Sequence, residues 1–143
     1  MPGNPQLGSN IYLSLDATAL DVTDATGVAS TVMPFGTAFN ISVTWQLAGS
    51  WANWFTSVPT NVYNVLYAFE SLTNDPDDRN VNAGPLAFTL NQLTYTTPNT
   101  TANVAGGVLN VGVYQASAIV TFPTNPLPFP ASAFFSNLLL EVF

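Results

Sequence analysis

The chain has 143 residues, enough for one domain with a core of its own. It carries no Cys, no His and no Lys; Arg79 is its one cation, and eight Asp and Glu residues leave a net charge of -7. Thiol, imidazole and Schiff-base chemistry are thereby excluded, and nucleic acid and anionic membranes are disfavoured, because both need several cations on the protein.

Only 6% of residues are charged, yet 48% are hydrophobic and 18 are aromatic, so a disordered chain is a poor reading. The opening, MPGNPQLGSN, has neither a basic residue nor an apolar run. It reads as a flexible tail over residues 1–9, without a signal peptide, ahead of a single domain over 10–143. No apolar stretch approaches the length of a membrane-spanning helix.

Ile11, Leu13 and Leu15 alternate with polar residues and predict a first strand. Residues 16–30 hold Asp16, Asp21 and Asp24, with a short edge strand over 19–23; Pro34 and Gly36 then mark a turn. Residues 39–47 give the clearest element. Phe39, Ile41, Val43, Trp45 and Leu47 point one way, and Asn40, Ser42, Thr44 and Gln46 the other, as in a sheet with one dry and one wet face. Residues 49–60 read as a loop holding Trp51, Trp54 and Phe55.

A strand follows over 62–71 and a turn over 74–80. Leu86, Phe88 and Leu90 predict another strand, continued past a bulge by Leu93 and Tyr95. Residues 98–103 read as a polar connection and 108–110 as a short strand. A long strand runs from Gly112 to Phe122, with Tyr114, Ala116, Ala118, Val120 and Phe122 on one face. Pro123, Pro126, Pro128 and Pro130 end it and hold the chain extended. Residues 133–143 fit a final strand, although Phe134, Phe135, Leu138, Leu139 and Val142 also recur at helical spacing. The strand is preferred because everything before it is β.

Seven or eight strands separated by turns, with no segment suited to a crossover helix, predict an all-β antiparallel β-sandwich without a disulfide. Trp45 in an early strand, and Gly112-Val113-Tyr114 opening the penultimate one, give a pattern that resembles the immunoglobulin-like and fibronectin type III-like sandwiches. That resemblance implies a core role for Trp45 and, for Tyr114, the hydroxyl-to-loop hydrogen bond known as the tyrosine corner. It lies at the level of fold and selects no function.

Candidate sites are few. Asp75-Pro76-Asp77-Asp78 has carboxylates at alternate positions but lacks the spacing of a calcium loop, so a solvated turn is the simpler reading and no metal or cofactor is expected. Glu70 and Glu141, the only glutamates, show no spacing suited to paired-carboxylate hydrolysis, and no catalytic residues are assigned. Asn40-Ile41-Ser42 and Asn99-Thr100-Thr101 match the glycosylation pattern, as chance predicts in a chain with 15 Asn and 17 Thr. Trp51, Trp54 and Phe55 suit stacking on a sugar face or anchoring a protein contact, or else they close the open end of the sandwich.

The neutral wet faces offer no Lys to protect strand edges. The terminal segment, with Phe134, Phe135, Leu138, Leu139, Leu140, Val142 and Phe143, is apolar enough to be donated to, or buried against, another copy. The leading expectation is therefore a structural subunit that associates with copies of itself, in a filament, surface layer or particle, in an extracellular or particle-surface setting. The alternative is a non-catalytic binding module for carbohydrate or protein that uses the Trp51 and Trp54 loop.

Overall fold

A computed structural model describes residues 13–97, 99–123 and 129–143. The expected tail over 1–9, Ile11, and the prolines at 126 and 128 lie outside the described residues. Over the described residues the chain folds as an all-β sandwich of nine strands, one short helix and one 3-10 turn. The strands are β1 (Ser14–Asp24), β2 (Val32–Met33), β3 (Phe39–Ala48), β4 (Val62–Ser71), β5 (Arg79–Ala87), β6 (Thr94–Tyr95), β7 (Ala102–Val104), β8 (Gly112–Phe122) and β9 (Phe129–Val142). The helix α1 (Ala52–Ser57) lies between β3 and β4, in place of the expected loop.

One sheet has the order β1-β3-β6, with β7 pairing β3 beyond β6; the other runs β2-β9-β8-β4-β5. All pairings are antiparallel except β2 with β9. At the sides of the sandwich β1 lies against β9 and β5 against β7. The two inner faces meet in one core.

Strict alternation builds β3, β4 and β8 as the sequence predicts. In β3, Phe39, Ile41, Val43, Trp45 and Leu47 are all buried, and in β8 so are Tyr114, Ala116, Ala118, Val120 and Phe122. Trp45 is enclosed by rings: Tyr95 stacks on it at 4.8 Å, with Tyr63 at 5.3 Å and Phe122 at 5.7 Å. Such aromatic contacts are each worth about 0.5–1.5 kcal/mol beyond the area they bury.

β1 and β9 depart from strict alternation. The β1 register with β3 passes from Ala17 to Ala19, so Leu15 and Ala17 face the core before the break, and Leu20 and Val22 after it. The extra residue, Thr18, fuses into one strand the two that the sequence suggests. In β9 the register skips Asn137: Leu138 pairs with Ala116 and Ser136 with Ser117. Core positions are thus Leu140 and Leu138 on one side of the bulge and Phe135 on the other, and this 3-residue step imitates a helix.

Three further expectations are corrected. The strand expected around Leu86 begins at Arg79 and ends at Ala87, because Val81 and Ala83 already alternate inward against Tyr67 and Val65. The polar connection contains β7, which pairs with Phe39, Asn40 and Ile41. Residues 108–110 form no strand; instead the Tyr114 hydroxyl donates to the Asn110 carbonyl at 2.9 Å, the bond that the resemblance implies.

β6 and β7 leave a gap along β3 at Val43. The Tyr67 hydroxyl crosses from the other sheet to accept the Val43 N–H at 3.0 Å and donates to the Thr100 carbonyl. The Thr100 hydroxyl donates to the Val43 carbonyl at 2.6 Å. Buried backbone groups that lack a ladder partner are thereby satisfied by side chains. Gly106 is required where the loop after β7 crosses the turn after β2: a Cβ there would lie 2.1 Å from the Gly36 carbonyl oxygen.

Candidate ligand-binding site

Residues 49–61 span the end of the sandwich between the two sheets and hold no charged side chain. The helical spacing of Ala52, Phe55 and Thr56 turns these three inward, and all are buried. The Phe55 ring lies 5.2 Å from Phe88 and 5.1 Å from Phe122. Trp51 and Trp54, three residues apart, share the opposite side and are 52% and 61% exposed. Phe55, grouped with them in the sequence, is therefore a core residue and no part of the accessible surface.

The segment is held at several points. The Thr56 hydroxyl donates to the Asn53 carbonyl at 2.7 Å and accepts the Asn91 N–H at 2.9 Å. Asn91 takes a positive φ of 61°, a conformation that Asn tolerates well. The Asn61 amide donates to the Phe55 carbonyl at 3.0 Å. A helix of 6 residues has little stability alone; here the buried Phe55 and these bonds fix it.

The indole rings of Trp51 and Trp54 lie 6.4 Å apart at 69°. They line an open hollow of ≈ 360 Å³. Two broad apolar faces meet at a steep angle on a braced support. Such a surface takes a flat apolar face of a ligand, and Trp spends little side-chain entropy in doing so.

The other candidate residues are spread over the molecule. Leu140 and Val142 are buried in the core, and Phe135 and Leu138 pack against it. These four stabilise the domain's own sheet, which corrects their place in an accessible terminal segment. Phe134, Leu139 and Phe143 are exposed.

The acidic groups do not converge. Asp77 accepts from Asn110 at 2.8 Å and Asp78 from the Ser71 N–H at 2.7 Å. Asp16 and Asp21 stand opposite Gln46 and Ser42 on the outer face of the first sheet; burial raises the Asp16 carboxyl above the usual range. One Asp24 oxygen accepts from the Thr26 hydroxyl, the Thr26 N–H and the Val28 N–H, which hold its carboxyl below the usual range. Among the described residues no group of three or more acids is placed to hold a metal ion. Asn40 of the first glycosylation match accepts from Asn103 within the sheet, and Asn99 of the second accepts from Gln92.

Sequence reasoning finds the Trp pair but misses the short helix. The signal is present: Ala52, Phe55 and Thr56 against Trp51 and Trp54 is a one-turn amphipathic pattern.

No protein-family model matches the chain, and no curated protein matches it. Among solved structures it is similar to the C-terminal domain of Wzt, with a TM-score of 0.63 and 10% identity over 99% of this chain and 78% of that one. At that identity the likeness shows the fold alone.

Proposed function

We propose that this domain is a non-catalytic binding module that takes a neutral carbohydrate on Trp51 and Trp54. The observation that carries the reading is the division within one helical turn. Phe55 anchors the segment in the core while both tryptophans stay more than half exposed beside an open hollow. Exposing two large indoles forfeits burial worth about 2 kcal/mol or more for each, a cost that a ligand offsets.

Charge narrows the ligand. A net charge of -7 and a single Arg disfavour phosphates, sulfates and uronic acids, whereas the CH-bearing face of a neutral pyranose suits an indole. The non-catalytic part of the proposal rests on the absence of His, Cys and Lys and on the separation of Glu70 and Glu141 onto β4 and β9, with β8 between them. The sheet orders and the Tyr114 bond support reading the sandwich as immunoglobulin-like.

The test is an oligosaccharide microarray probed with the wild type and with the Trp51→Ala/Trp54→Ala variant. Binding to neutral glycans with no response to sulfated ones is expected. The variant should lose on the order of 2 kcal/mol, roughly 30-fold in affinity, while keeping its thermal midpoint. Glycan binding that survives the double substitution refutes the assignment.

A further inference from the structure

The outer face of the second sheet is built differently from the Trp site. Across β4, β8 and β9, Leu66 stands opposite Ile119, and Ile119 opposite Phe134. The next row on this face is small and polar, with Ala68 opposite Ser117 and Ser117 opposite Ser136. Closer to the end of β9, Glu70 stands opposite Gln115 and Gln115 opposite Leu139, and then Val113 opposite Glu141 and Glu141 opposite Val32. Side chains in such rows share a face. Leu139 is 60% exposed and Phe134 41%; both stand on β9 rather than on a loop, at positions where β8 is the one neighbouring strand among the described residues.

The chain's only two glutamates are both on this face, and both are exposed. The one cation is turned elsewhere: the Arg79 guanidinium donates to the Pro76 and Asp78 carbonyls at 2.9 and 2.7 Å. Among the described residues, then, apolar side chains and two carboxylates share a surface without a cation.

From this charge pattern we infer that the outer face of the second sheet docks a separate protein segment with aliphatic side chains flanked by Lys or Arg. The aliphatic groups cover Phe134, Leu139 and Ile119, and the cations meet Glu70 and Glu141. A second copy is the poorer occupant. It brings another -7 and no Lys, and it sets carboxylates facing carboxylates in a desolvating interface.

The probe is a pair of fluorescent synthetic peptides with the same leucine face, one flanked by lysines and the other by glutamates, titrated into the full chain by anisotropy. The lysine peptide should bind one to one and weaken with added salt. Phe134→Ser/Leu139→Ser and Glu70→Gln/Glu141→Gln should each weaken it at least tenfold, and the glutamate peptide should bind at least tenfold more weakly. The second variant changes only exposed carboxylates, so it reads the interaction even where the first disturbs folding. Absence of binding overturns the inference, as do equal binding of both peptides and insensitivity to the substitutions. So does a wild-type dimer in sedimentation that dissociates in the Phe134→Ser/Leu139→Ser variant, which makes a second copy the occupant.

Discussion

The two outer faces of the sandwich differ in what stands among their neutral polar groups. On the first sheet the outward groups of β3 are neutral hydroxyls and amides bonded sideways. Thr44 meets Thr96 at 2.7 Å, Thr97 donates to Ser42 at 2.7 Å, and Asn103 donates to Asn40 at 3.0 Å. Their polar capacity is partly used within the fold, so this face reaches the solvent with less to offer a partner. On the second sheet the same bonding recurs, with Asn64 donating to Asn82 at 2.7 Å and Gln115 to Ser136 at 3.1 Å, but Leu66, Ile119, Phe134 and Leu139 stand among these groups, where soluble sheets place polar residues. The first face is thus lined along β3 by bonded amides and hydroxyls, whereas the second mixes such groups with exposed apolar side chains.

The comparison is tested most severely where the first sheet depends on the second. Tyr67→Phe removes the hydroxyl that serves the Val43 N–H and the Thr100 carbonyl, so both backbone groups are left buried and unpaired. A loss of about 1–3 kcal/mol in denaturant unfolding is expected. A loss below a few tenths would show that the gap in β3 closes without Tyr67.

Alkali acts through the same tyrosines. Burial pushes Tyr63 up to about 12 and also raises Tyr67, Tyr95 and Tyr114. The folded state holds these protons more tightly than the unfolded state, where Tyr ionises near pH 10. Their contribution is complete below that pH and is lost as pH rises through the folded values. The thermal midpoint should fall above roughly pH 10, with tyrosinate absorbance appearing together with unfolding. Tyrosine ionisation well before unfolding would show that water reaches these rings in the folded state.

Smaller effects sharpen the contrast between the faces. Thr44→Val breaks one lateral bond and should cost about 0.5–1.5 kcal/mol. Leu139→Ser, on the opposite face, should change stability by about 0.5 kcal/mol or less while reducing the binding of a hydrophobic dye. If Leu139→Ser proves the more damaging of the two, the second face contributes to folding and is not kept for contact.

Much of this fold is legible in the amino-acid sequence. Period-two alternation places β3, β4 and β8, and the buried aromatics among them, because those strands have no bulge of their own to shift the inward phase. It breaks at Thr18 and Asn137, where one extra residue moves the inward phase by one position, and a bulged β9 then looks half helical. β5 escapes a sequence reading because its inward residues over 79–83 are Arg79, Val81 and Ala83, too short a pattern to stand out beside the Asp-rich turn. Of the candidate site, the Trp pair is visible from composition alone. The exclusion of Phe55 from it is not, since only the helical turn shows which aromatics face in. Nor can the sequence show that Leu140 and Val142 belong to the core while Leu139 beside them does not contribute to it, because that depends on pairing with β8.

The central claim concerns Trp51 and Trp54, and the three indole N–H resonances report on it directly. In ¹⁵N spectra, neutral gluco-, manno- and galacto-oligosaccharides would be titrated into the wild-type chain. The account predicts that, for at least one of them, the Trp51 and Trp54 resonances move along one saturation curve while Trp45, buried in the core, stays fixed. Stationary Trp51 and Trp54 resonances with every neutral sugar at millimolar concentration would contradict it.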